Sequence, residues 1–407
     1  MGTLRFAHPT IYDATSLRIL LEAMNSAPSF DVHKRADSLV AAFARAGYTR
    51  VSPAILQPAE PFFDLSGEDM RRHMYLVTDT AGREFCLRPD LTIPVARHYL
   101  ASATAPQRAS FCYLGPVFRD SGITSGEFLQ AGIESFGRSD TAAADAEVLA
   151  LGIEATAHYG LAAPRIVIGD VALFSALITA LDLAPAWKRR LLKDFNRKTT
   201  LAQDLERLTL AGRQNRSEYQ GVLAALANAN PKAAQALVTD LLSIAGKSAV
   251  GGRSIGEIVD RFVEQAELGA SSALPSETCA LIGRFLAVTG TPSKAAAALR
   301  ALAGEARVAL GPALELFESR IGALAGRGVD VDRIEFATAF GRGVDYYTGF
   351  VFELHDPAAR VDGQLVAGGR YDGLLSKLGR PQPVAAVGFA VWIERLAALA
   401  ANIEKEQ

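Results

Sequence analysis

Cysteine is scarce: Cys86, Cys112 and Cys279 are the only three in 407 residues, with no close pair and no metal-ligand spacing. That argues against a disulfide scaffold and fits scattered thiols buried in a protein of the reducing cytoplasm. The six histidines form no His-x-x-x-His pair, so there is no zinc signature. Charge of one sign is lacking too. A net charge of −2 leaves no electrostatic footprint for a polyanion. No run of about 18 uninterrupted apolar residues occurs, so no segment is expected to span a membrane. Residues 1–30 carry Arg5, Asp13, Arg18 and Glu22 without the apolar core of a signal peptide, and read as an extension of the body. No repeat of about 20–50 residues recurs.

What is present is length for more than one core, with 49% hydrophobic and 21% charged residues, the balance of a soluble globular protein. The most informative stretch is Phe340-Gly341-Arg342-Gly343-Val344-Asp345-Tyr346-Tyr347-Thr348-Gly349, which runs into Phe350-Val351-Phe352-Glu353. Gly368-Gly369-Arg370-Tyr371-Asp372-Gly373 follows. Glycine lets backbone approach a ligand closely, and arginine offers a rigid donor fork for a carboxylate. Tyr346 and Tyr347, on what reads as a strand, supply an apolar face with a polar tip. This chemistry suits a pocket for a small zwitterion with a ring. It suits equally a hairpin whose arginine pairs a carboxylate of the fold.

These two segments resemble the histidine-recognition motifs of histidyl-tRNA synthetase. Other stretches fall in the order of that family. Val32, Leu39, Val40, Phe43 and Ala46 stand at helical spacing, Gly47 ends the helix, and residues 48–53 read as a short strand. Together they resemble class II motif 1, which builds a two-fold dimer interface in that family. Residues 74–78 and 85–87 read as strands, and Arg88-Pro89-Asp90-Leu91-Thr92 opens a helix for which Asp90 and Thr92 can act as caps. The resemblance also implies that Asp90 and Thr92 clasp the amino group of histidine, Asp90 standing where the family has the longer Glu.

Residues 111–118 and 127–134 read as a hairpin that resembles motif 2. On its return strand Gln130 and Glu134 share a face with Phe128 and Gly132, because strand side chains alternate at period two. Burying both without partners would be costly, so this face is either a polar pocket or a solvated surface. The resemblance makes Gln130 the imidazole-side contact and Glu134 the amine-side contact. An Ala-rich helix over 140–159 and a strand from Arg165 come next. Residues 171–326 show helical periodicity, broken at Gly251-Gly252, Pro275 and Gly290-Thr291-Pro292, and their Lys and Arg faces read as solvated. Residues 330–340 return to strand. Ala386-Val387-Gly388-Phe389-Ala390 and the following Val391-Trp392-Ile393-Glu394-Arg395-Leu396 resemble motif 3, in which the helix arginine contacts the ATP phosphates.

The fold this implies is α+β and class II aminoacyl-tRNA synthetase-like. An antiparallel sheet flanked by helices is expected over residues 1–170 and 327–407, with a helical insertion over 171–326. No anticodon-binding domain is expected, since Gln407 follows too soon after Arg395 for another domain.

The departures from the family gather at the nucleotide end. After Arg119 the family carries a His-Glu pair and a basic loop that holds ATP. Here Asp120-Ser121-Gly122-Ile123-Thr124-Ser125-Gly126 contains no arginine and adds a carboxylate. Trp392 stands where the family has a small residue. Arg119 and Arg395 remain, as residual phosphate contacts or as structural ion pairs. The histidine set of Asp90, Thr92, Gln130, Glu134, Arg342, Tyr346, Tyr347 and Tyr371 is complete.

An amino-acid pocket beside a depleted nucleotide site resembles the regulatory subunits of ATP phosphoribosyltransferase, synthetase paralogues that serve the first step of histidine biosynthesis. The resemblance implies a non-catalytic, cytoplasmic homodimer assembled with short-form catalytic subunits as a hetero-oligomer, with histidine as feedback effector. It implies no tRNA, no cofactor and no metal. Two other readings stand beside it. One is a truncated histidyl-tRNA synthetase-like enzyme that forms histidyl-adenylate, with Arg119, Arg342 and Arg395 stabilising charge. The other is an empty pocket kept for dimerisation and docking.

Overall fold

The computed structural model describes residues 30–65, 67–102, 107–120, 126–195, 197–210, 268 and 275–406. The N-terminal extension over 1–29, the loop residues 121–125 and the Gly251-Gly252 break lie outside the described residues. Met1–Val171, Thr289–Ala296 and Glu315–Gln407 form one compact unit, and Ala172–Val288 with Ala297–Leu314 forms another.

The first unit carries twelve strands among its described residues: β1 (Thr49–Arg50), β2 (Leu56–Pro58), β3 (Leu76–Thr78), β4 (Glu84–Leu87), β5 (Ala109–Phe118), β6 (Glu127–Phe136), β7 (Arg165–Asp170), β8 (Thr289–Gly290), β9 (Ile334–Ala337), β10 (Phe350–His355), β11 (Val366–Arg370) and β12 (Ala386–Trp392). Nine of them form one sheet in the order β1-β5-β6-β12-β11-β10-β7-β9-β8. The six central strands, β5 to β7 in that order, are antiparallel. β1 joins β5 and β9 joins β7 in parallel, so the whole sheet is mixed rather than purely antiparallel. β8 pairs with β9 and arises inside the stretch that periodicity reads as helical. Two residues are too short for an alternation to register in the sequence.

Each face of this sheet has its own partners. Toward one face point Ile133, Phe389, Phe352 and Val366, all buried, beneath helices α1 (Phe30–Arg45), α3 (Thr141–His158) and α4 (Ile393–Glu406); α2 is Thr92–Ala101. Phe43 of α1 meets Phe389 edge-on at 5.6 Å, and Phe389 meets Phe352 at 6.4 Å, the geometry that aromatic quadrupoles favour. α1 stops where its sequence says it should. Gly47 adopts φ +97°, Gly47 N–H donates to Ala44 and Tyr48 N–H donates to Phe43, the two bonds of a Schellman turn.

The three-stranded sheet β2-β4-β3 stands beside the large one and delivers the chain to α2. Arg88, just after β4, donates to the carbonyls of Pro116 at 2.8 Å and Pro53 at 2.5 Å. It occupies the space a side chain on Gly115 would need. That anchoring fixes where Asp90 and Thr92 enter the site.

Beneath the sheet lies a buried ion network. Arg320, from helix Gly311–Gly326, pairs with Asp145 at 2.8 Å and Asp170 at 2.6 Å. Arg370 binds the other oxygen of Asp145 at 2.6 Å and reaches Asp372 at 2.9 Å. In the second unit, Phe174 stacks on Phe195 at 4.5 Å, and Arg190 bridges the buried Asp194 and Asp204. Among the described residues, no helix is long and apolar enough to cross a membrane.

Asp145 is the shared acceptor of two buried arginines. Removing one partner from a buried charge network leaves the others uncompensated, so Asp145→Ala is expected to cost about 3–5 kcal/mol, read as a lower urea midpoint. A change within error would show the network to be dispensable.

Candidate functional site

The other face of the sheet is lined with small residues. Strand register puts Glu134, Gly132 and Gln130 of β6 in line with Gly388, Ala390 and Trp392 of β12, and these with Gly369 and Ala367 of β11. Val351 and Glu353 of β10 continue the same rows. A Cβ on Gly388 would fall on Glu134 Oε2, and one on Gly132 would fall on the Tyr113 hydroxyl. Glycine is required there by close approach, not by backbone conformation.

Glu134 is fully buried. It accepts hydrogen bonds from the hydroxyls of Tyr371, Thr92 and Tyr113, the last at 3.2 Å. Burial pushes its pKa up to about 8; the three hydroxyls pull it down and nearby Asp90 pushes it further up. Asp90 is likewise raised by burial, opposed by Arg119 and by the N–H groups of Ile93 and Thr92. Its Oδ1 accepts from Ile93 N–H at 3.2 Å, so Asp90 caps α2 while Thr92 turns its hydroxyl to Glu134 instead. Tyr113 and Tyr371 are held well above the usual phenol range by burial and then by Glu134. Gln130, 1% exposed, has no partner for its Oε1 among the described residues.

The tyrosines form one wall. Ring centroids lie 4.9 Å apart for Tyr346–Tyr347 and 5.6 Å apart for Tyr346–Tyr371. Tyr346 and Tyr347 sit in the turn before β10, not on a strand as the sequence pattern suggests. The turn leaves both rings facing Tyr371, which strand alternation would forbid. Arg342, from the same loop, donates through Nη1 to the Tyr347 hydroxyl at 2.7 Å and places its guanidinium 5.4 Å from that ring's centroid. Its Nε lies 3.4 Å from Glu353 Oε1.

Arg119 donates to the Pro89 carbonyl at 2.8 Å and lies over Phe128. Burial lowers its pKa, Asp90 raises it, and Arg342 and Arg395 are close enough to lower it again. Arg395 donates to the Gln364 carbonyl at 2.7 Å and lies over Trp392. Trp392 is on the site face and 6% exposed. Three guanidinium groups therefore gather at this end of the face. Asp120 is exposed, its N–H donating to the His73 carbonyl, and residues 121–125 of that loop lie outside the described residues.

Ten residues were singled out from the sequence. Thr92 and Tyr371 bond Glu134 directly and Asp90 acts on it through charge, Arg342 joins Tyr347 and the tyrosine wall, and Gln130 shares their face. Arg119 borders Asp90, and Arg395 flanks Trp392. Two participants escaped notice. Tyr113 lies opposite Gly132 in the hairpin register, a position that alternation along β5 would have revealed. Glu353, two residues past Val351 on β10, carried no motif signal. Among the described residues, no group of three or more His, Cys, Asp or Glu is placed to hold a metal ion.

Fold and site together define a class II synthetase-like core with a buried polar face. A family model described as histidyl-tRNA synthetase matches residues 27–251 and 236–396. A Brucella ovis protein named ATP phosphoribosyltransferase regulatory subunit is 40% identical over 350 residues, covering 85% of this chain and 92% of that one. A solved structure from Bacillus halodurans, described as an ATP phosphoribosyltransferase regulatory subunit/histidyl-tRNA synthetase, is similar with a TM-score of 0.59 at 23% identity, over 91% of this chain and 78% of that one. A histidine–tRNA ligase subunit from Alicyclobacillus acidocaldarius has a TM-score of 0.55 at 26% identity, covering 99% of each chain. The chain belongs to the histidyl-tRNA synthetase family and, within it, to the ATP phosphoribosyltransferase regulatory subunits.

The raised pKa of Glu134 has a signed consequence for stability. The folded chain holds this proton up to about pH 8, the unfolded chain only to about 4.3. Stability from this group is therefore complete at low pH and falls as pH rises across that window. Glu134→Gln is expected to flatten this component, its melting temperature gaining on the wild type between pH 5 and pH 8. Parallel curves for the two proteins would contradict it.

Proposed function

We propose that this chain is a non-catalytic regulatory subunit of ATP phosphoribosyltransferase that binds free histidine on the glycine-lined face. The observation that carries the proposal is the buried Glu134, ringed by three hydroxyls and sharing its face with the unpartnered Gln130 amide oxygen. In this reading Glu134, Asp90 and Thr92 receive the ammonium group, and Gln130 Oε1 accepts from the imidazole N–H. Arg342 faces the carboxylate, and Tyr346, Tyr347 and Tyr371 form the walls. Arg119 and Arg395 are residual phosphate contacts. The core over 1–170 and 327–407 holds every one of these residues, and the helical insertion over 171–326 holds none.

The assembly follows the name that the relatives carry. The chain pairs with itself through the α1 and β1 region and docks on short-form catalytic subunits in the cytoplasm, without tRNA. Coupling between histidine and the catalytic partner is then reciprocal: whatever histidine does to the partner's state, the partner does to histidine affinity.

A second reading is favoured by the proximity of Arg342 and of Arg395 to Arg119. A truncated synthetase would use them to stabilise charge while forming histidyl-adenylate. Histidine-dependent exchange of pyrophosphate into ATP separates the two; the regulatory reading predicts none.

Calorimetric titration with histidine tests the binding site. An ammonium group beside Glu134 favours its ionised form, so binding at pH 7 is expected to release about one proton, read from heats in buffers of different ionisation enthalpy. Glu134→Gln should abolish the release and weaken binding at least about tenfold. No heat at millimolar histidine, with or without the catalytic subunit, would refute the site.

A further inference from the structure

Arg342 alone cannot explain its own orientation. It lies in the loop between β9 and β10, outside any regular strand, and its side chain is 11% exposed. A charge so far out of water needs a counter-charge to hold it. Tyr347 secures one end, by its hydroxyl and its ring. At the opposite edge, Nε has no hydrogen-bond acceptor among the described residues and faces Glu353 Oε1 at 3.4 Å, an ion pair rather than a hydrogen bond.

Glu353 is well placed to act at that edge. It projects from β10 beside Ala367 of β11, whose small side chain leaves it room. Its second oxygen meets His355 Nε2 at 3.1 Å, two residues further along the same strand face. The carboxylate is thus tied to the sheet on one side and reaches the loop on the other. Burial alone would raise its pKa, yet His355 and Arg342 together hold it below the usual range. Burial likewise works against the Arg342 charge, and Tyr347 and Glu353 outweigh it. Arg395 is the further cation that feels Glu353.

We propose that Glu353 is a positioning residue for Arg342: held by His355, it fixes the Nε edge of the guanidinium so that the remaining Nη donors face the ligand carboxylate. Five N–H donors in a rigid plane mean that fixing two edges fixes the third. The inference rests on the reading of this face as a histidine site.

The test is calorimetry on the full chain with histidine and with histidinol, which carries an alcohol in place of the carboxylate. Glu353→Gln is expected to weaken histidine about tenfold and to leave histidinol unchanged. In an Arg342→Ala background the same substitution should have no further effect, as a double-mutant cycle requires of residues acting through one another. His355→Leu, which frees Glu353 without removing it, should show the same bias to a smaller extent and carries the test if Glu353→Gln fails to fold. Equal weakening of both ligands by the folded variants, or a full Glu353→Gln penalty without Arg342, would overturn the proposal. No histidine binding by the wild-type chain would overturn the site reading, and this inference with it.

Discussion

The glycine-lined face is shaped around one carboxylate held out of water. Glu134 has no solvent exposure, and a lone ionised carboxylate in such a place would be prohibitive. The surroundings answer in two ways. Three hydroxyls from three separate elements donate to it, and the sheet recedes to glycine directly across the strand pair. Even so the proton is held to about pH 8, so the site is poised between a neutral acid and a carboxylate awaiting a cation. On the proposed reading that balance is what receives the ammonium group.

The arginines divide along the same plane. Arg320 and Arg370 lie on the helix-covered side, paired with Asp145, Asp170 and Asp372; they join the second glycine motif to α3 and serve the fold. On the open side, Arg119 and Arg395 are engaged by carbonyls and aromatic rings, and Arg342 by the Tyr347 hydroxyl and ring and by Glu353. The plainer expectation, an arginine pairing a carboxylate of the fold, describes Arg370 with Asp145 and, in part, Arg342 with Glu353. On the proposed reading the open-side arginines serve ligand charge, with Trp392 crowding the end where a synthetase would hold its nucleotide.

How much of this was legible depended on whether the physics was local. Gln130 and Glu134 could be placed on one face because strand alternation is strict, and α1 could be ended at Gly47 because the left-handed turn calls for glycine. Asp90 was legible as a cap for the same reason. Three features were not. β8 is two residues long, and only its pairing with β9 defines it. The turn conformation of Tyr346 and Tyr347 follows from packing against Tyr371, far away in sequence. Glu353 gains its meaning from Arg342 in the loop before β10 and from His355 beyond it, a relation that no motif encodes.

The central claim is that this face grips the ammonium, imidazole and carboxylate of one free amino acid. A crystal structure of the chain with histidine bears on it most directly. The account predicts density for the ligand on the glycine-lined face, its ammonium about 3 Å from a Glu134 oxygen and its imidazole N–H on Gln130 Oε1. Histidine ordered only at a boundary between subunits, with Glu134 still bonded to its three hydroxyls and nothing else, would contradict it.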